Sequence, residues 1–121
     1  MTDTVDHKRA RLAFAHVAGV PAGDQQKYRS IALKLPALIQ REGVAVALHV
    51  VAARGDGGQR QILDHLALQL GQPDARGLLA HVRGLDAAGT RRMTAEVQRC
   101  LAWYKRFVQI AATSAPDAGA P

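Results

Sequence analysis

Residues 25–54 read QQKYRSIALKLPALIQREGVAVALHVVAAR. Tyr28, Ile31, Ala32, Leu35, Leu38 and Ile39 recur at helical spacing and make one apolar face. Pro36 falls inside this pattern. It carries no N–H, and its ring crowds the carbonyl of Ala32, so the expectation is a kinked helix rather than a clean stop. Gly43 is expected to end that helix as a left-handed residue just past its C-terminus. Residues 44–53 are apolar nearly all round. A helix with so little polar face belongs at the centre of a bundle, with the remaining chain wrapped over it.

Outward from this pair, the same spacing rules predict four more helices. Residues 2–4 offer threonines to cap a helix over 5–18, with Leu12, Ala13, Phe14, His16 and Val17 on its apolar side. Lys8, Arg9 and Arg11 crowd the start of that helix, the unfavourable end for cations. They read either as an exposed, frayed turn or as a partner contact. Residues 19–23 read as a loop, and Asp24 as the N-cap of the long helix. Gly55-Asp56-Gly57-Gly58 reads as a connector, since no Lys-Ser or Lys-Thr pair follows as a phosphate-binding loop requires.

A fourth helix is predicted over 59–70, with Ile62, Leu63, Leu66, Ala67 and Leu70 facing inward and Gly71 ending it. Pro73 is placed as the first residue of a short fifth helix over 73–83, which buries Leu78, Leu79 and Val82. Asp86 is read as the cap of the last and longest helix, 87–112. Its stripe runs Met93, Val97, Cys100, Leu101, Tyr104, Phe107, Val108, Ala111. No strand pattern and no internal repeat emerge. The expected fold is all-α: one compact bundle of about six helices over residues 1–112, followed by a disordered C-terminal tail, 113–121.

Two basic rows accompany the stripes. Lys27, Lys34 and Arg41 are spaced by seven along the long helix, and Arg92, Arg99 and Arg106 repeat that spacing on the last. Trp103 projects into the second row, where it would stack on a base, fill a partner's pocket, or pack at the edge of the stripe. The bland account of a basic row is a solvated edge whose long stems cover core carbon.

Sixteen Lys and Arg against ten Asp and Glu give a formal charge of +6 in 121 residues, with a sequence pI near 10.3. Such a balance favours an anionic partner, nucleic acid before membrane. Aromatic residues make up only 4%, so electrostatics has to supply most of any affinity. One cysteine, Cys100, excludes an internal disulfide and suits a reducing cytoplasm. The first residues carry no signal-peptide core, and no apolar run is long enough to span a bilayer. His7, His16, His49, His65 and His81 show no metal-binding spacing, and the carboxylates are scattered. Neither a hydrolytic triad nor a two-metal centre has local support, so no enzyme activity, metal or cofactor is expected.

The run YRSIALKLPALIQREGVAVAL, then LDHLALQL, then LAWYKRFV, resembles the small α-helical subunit of the type III-B CRISPR (Cmr) effector complex. Tyr28, Ser30, Ala32, Lys34, Leu35, Pro36, Leu38, Ile39 and Gly43 fit its first segment. Trp103, Lys105, Arg106 and Phe107 fit its second, and the likeness covers roughly 25–111. The resemblance implies a non-catalytic chain that stacks head to tail with further copies and flanks the guide–target RNA duplex. Its implied partners are the backbone subunit, the large subunit, guide RNA and target RNA. It also makes Lys34, Trp103, Lys105 and Arg106 motif positions, whereas Lys27, Arg41, Arg92 and Arg99 rest on helical geometry. Two other readings stand beside it: the small subunit of a type III-A (Csm) complex, and a helical DNA-binding regulator.

Overall fold

The computed structural model describes residues 4–114. Among them lie six α-helices and no strand: α1 Val5–Ala18, α2 Gln25–Glu42, α3 Val44–Arg54, α4 Gly57–Gln69, α5 Ala75–Arg83 and α6 Ala87–Ser114, with a 3₁₀ turn at Ala22–Asp24 before α2. The expected all-α bundle is therefore observed.

The centre is α2. It packs against α3, α4 and α6; α1 lies across α6 and α4, and α5 closes over α3 and α4. Tyr28, Ile31, Ala32, Leu35 and Ile39 are buried along one face of α2, as their spacing predicts. The facing stripe of α6 buries Met93, Val97, Cys100, Leu101, Tyr104 and Val108. Each fully buried Leu or Ile in this seam contributes about 1.5–3 kcal/mol relative to exposure. The two helices run antiparallel: Tyr28 and Tyr104 both meet His65, while eight residues on, Pro36 meets Gln98, six residues back along α6. The helix α2 continues through Pro36 to Glu42, and Gln98 Nε2 donates to the Pro36 carbonyl at 3.0 Å.

Several local readings need correction. First, α3 is not the buried centre. Val44, Ala47, Leu48 and Val51 are buried, but Val46 is 52% exposed and Ala53 faces solvent. The contacts of α3 with α2, α4, α5 and α6 cover the side that carries Val44, Ala47, Leu48 and Val51 and leave Val46, Ala53 and Arg54 in solvent. Second, Gly43 has φ 90 and ψ 156, a positive φ in an extended rather than a left-handed helical conformation. It is the sole residue between α2 and α3. Its N–H donates to Ile39 O at 2.8 Å and its carbonyl accepts from Ala47 N at 3.0 Å, so one glycine serves both helix ends.

Third, Asp24 occupies the position before α2 but its side chain caps nothing. Its backbone is already helical, and its carboxylate accepts from Gln61 Nε2 at 2.7 Å, tying the entry of α2 to α4. Fourth, Pro73 stands before the cap rather than inside α5. Asp74 is the N-cap and accepts from Gly77 N at 2.9 Å. The other caps are Thr4 on α1, Asp56 on α4 and Asp86 ahead of α6; each accepts a backbone N–H three residues on. The glycine-rich connector shrinks accordingly to Gly55 and Asp56. Gly58 is helical and buried, and a Cβ there would meet Asp24 O at 2.8 Å.

On α6, Ala111 is exposed rather than part of the stripe, and helix continues through Ser114. Residues 115–121, where most of the expected tail falls, lie outside the described residues, as does Thr2. No described helix is long and apolar enough to cross a membrane.

Candidate nucleic-acid and subunit interface

The antiparallel pair α2 and α6 carries both basic rows and the Trp103 segment, while the Lys8, Arg9 and Arg11 cluster lies on α1. Lys27, Lys34 and Arg41 are exposed along α2, and Arg92, Arg99, Lys105 and Arg106 along α6; Trp103 alone is half-buried. The seven-residue spacing keeps each row clear of its helix's buried stripe, so these side chains reach solvent while their helices stay packed.

The rows differ in how far they are already engaged. Lys27 forms an ion pair with Asp56, the cap of α4, across the close approach at Gly58. Their hydrogen bond, reinforced by charge, raises the Lys27 pKa and lowers that of Asp56. Arg41 pairs with its neighbour Glu42 at 3.6 Å. Lys34 has no ion pair among the described residues. On α6, the Arg106 guanidinium lies 4.9 Å from the centre of the Trp103 ring, a cation–π contact. That ring also stacks beside Phe107, with centroids 6.0 Å apart and planes 20° from parallel. Trp103 thus packs at the edge of the core and holds Arg106 in place. Phe107 in turn meets the 60% exposed Phe14 of α1 edge-on at 5.5 Å. No hydrogen bond, ion pair or ring contact joins the α2 row to the α6 row among the described residues.

Arg9, read from sequence as part of an exposed basic cluster, is drawn inward. It pairs with Asp6 at 3.4 Å, and its side chain is 16% exposed. Burial pushes the nearby Cys100 thiol up to about 11, so that sulfur is a packed apolar group at neutral pH.

Sequence reasoning missed a polar cluster that links four helices. His16 of α1 and His65 of α4 stack with ring centroids 4.1 Å apart. His16 Nδ1 is hydrogen-bonded to the Tyr104 hydroxyl at 2.6 Å, and His65 Nδ1 to the Tyr28 hydroxyl at 2.6 Å. Gln69 Nε2 donates to both the Arg9 carbonyl and the Tyr104 hydroxyl. Burial lowers both imidazole pKa values, that of His65 to about 4 with some help from His16, and raises both tyrosines. At neutral pH the cluster is uncharged and bonded throughout, a satisfied polar seam rather than a reaction centre. It was not legible because its members lie up to 88 residues apart; the one available signal was two histidines set on apolar faces. Among the described residues no three His, Cys, Asp or Glu side chains are placed to hold a metal ion.

The described residues thus form an all-α bundle that carries exposed basic rows on α2 and α6. The CRISPR-associated protein (Cas_Cmr5) family model matches residues 5–111, and the chain belongs to that family. The Cmr5 subunit of the CRISPR Cmr system from Thermus thermophilus is 35% identical over 101 residues, covering 83% of this chain and 89% of that protein. The X-ray crystal structure of a CRISPR-associated Cmr5 family protein from the same organism matches with a TM-score of 0.84 at 32% identity. The match covers 90% of this chain and 97% of that one. The resemblance drawn from the Lys-Leu-Pro and Trp-x-Lys-Arg-Phe segments is borne out, and the type III-B reading stands over the type III-A one.

Proposed function

We propose that this chain is the non-catalytic small subunit of a type III-B RNA-guided effector complex, working in the cytoplasm. In this reading it stacks head to tail with further copies and flanks the guide–target RNA duplex. It sits beside the backbone and large subunits, and the exposed cations of α2 and α6 meet phosphates. The observation that carries the reading is family membership over residues 5–111 together with two exposed basic rows on adjacent antiparallel helices. Arginine and lysine on phosphates give affinity without sequence preference, and pairing to the guide supplies the sequence selectivity. Arg106, held over Trp103, is the most preorganised of these cations.

The test is co-purification of the tagged chain from its host, with identification of bound proteins and RNA. Recovery of Cmr subunits with guide RNA supports the reading. Recovery of neither, from cells that express the complex, overturns it. A purified subunit that cleaves RNA with a divalent metal, and loses that activity on substitution of one acidic residue, overturns the non-catalytic assignment.

A further inference from the structure

On the side of the bundle formed by α3, α4 and α5 lies a cleft of about 560 Å³. Its floor is apolar, built from Ala52, Leu63, Ala75 and Leu79. Its rim carries three exposed arginines: Arg60 from α4, and Arg76 and Arg83 from α5. Neither Arg60 nor Arg76 has an ion-pair partner among the described residues. Arg83 Nη1 lies 3.0 Å from His49 Nε2, while His49 Nδ1 lies 2.6 Å from the Ala45 carbonyl. With Nδ1–H donating to that carbonyl, Nε2 accepts from Arg83 and steadies its guanidinium. The carboxylate in the cleft is Asp64, whose Oδ1 accepts from Ala75 N at 2.8 Å. Three guanidiniums thus face one carboxylate that already serves the start of α5.

We propose that this cleft binds one phosphate-linked nucleotide unit of single-stranded RNA, with the arginines on the phosphates and the base on the apolar floor. This rests on the RNA-binding role proposed above, and adds a contact on a different side of the bundle from the α6 row: α5 packs on α3 and α4, and α6 chiefly on α1 and α2. The cleft has the size of a small-ligand site, several hundred Å³ with a mostly apolar lining and a few polar groups. Guanidinium forks match phosphate bidentately and stack on bases, which suits this combination of rim and floor better than it suits a carboxylate side chain.

The test is fluorescence anisotropy of a short labelled oligouridine with the full chain, titrated at several salt concentrations, with polyglutamate as competitor. Arg60→Gln, Arg76→Gln and Arg83→Gln combined should weaken binding about tenfold and reduce the log–log salt slope by about 1.4, as expected when the two phosphates flanking one single-stranded nucleotide lose their cations. Asp64→Asn keeps an acceptor for Ala75 and removes the repelling charge, so it should tighten binding about threefold. This gain survives even if the triple variant fails to fold. Unchanged binding in both variants, with loss in an Arg92, Arg99 and Arg106 to Gln variant, overturns the cleft and leaves the RNA role standing. No oligouridine binding by the wild-type chain at low salt overturns both. Polyglutamate displacing the RNA from wild type but not from the cleft triple variant assigns the cleft to an acidic protein segment instead.

Discussion

Leu35 is completely buried in the seam between α2 and its neighbours, and its removal leaves a cavity that close packing cannot easily refill. Leu35→Ala should therefore lower stability by about 2–5 kcal/mol, read as a shift of the denaturant midpoint at unchanged slope. The His16–His65 pair makes a second prediction at this scale. The His65 pKa is depressed to about 4 in the folded chain, against about 6.5 when unfolded, so the unfolded state binds more protons between those values. Stability is then complete above about pH 6.5 and falls as pH drops towards 4. Because the ring is half-buried and partly screened, the loss should be on the order of 1–2 kcal/mol rather than the full shift. His65→Gln, which cannot titrate, should flatten this dependence in thermal melts between pH 7 and pH 4.5. A slope unchanged by that substitution would place the acid sensitivity elsewhere.

At the scale of the element, the joint between α2 and α3 depends on one residue. Nothing lies within 4 Å of a Cβ built at Gly43, so Gly43→Ala meets no clash; its cost is backbone strain at φ 90. That strain is of order 1–3 kcal/mol, and melting temperature should fall accordingly with the helical content retained. On α6, Arg92, Arg99 and Arg106 lie outside the buried stripe. Changing all three to Glu should leave the circular dichroism spectrum intact, while target-RNA retention by the assembled complex drops. Loss of subunit stacking with RNA retention unchanged would assign the row to a protein contact. Wild-type behaviour in both assays would leave the row a solvated face.

For the molecule as a whole, a formal charge of +6 with few aromatics would make electrostatics the main source of affinity in the proposed RNA-binding role, so isolated-subunit binding should fall steeply as salt rises and show little base preference. A salt-insensitive affinity measured by titration would contradict this. Helix identity, the α2 and α6 stripes, the exposure of both basic rows and the family itself were legible in the chain, because each rests on short-range periodicity or on motifs contiguous in sequence. Asp24 was placed at the right position but given a capping role it does not have, and Pro73 was set inside a helix that starts two residues later, since capping depends on a single residue's backbone angles, which composition does not specify. The role of α3 was misjudged for a different reason: apolar composition says how much surface a helix would bury, not which side its neighbours cover. Only the packed structure brought His16, His65, Tyr28 and Tyr104 together, and only it gathered Arg60, Arg76 and Arg83 around one cleft. Periodicity records which way a side chain points from its own helix. Which partner it then meets depends on how the helices pack, and that is set by the whole core at once.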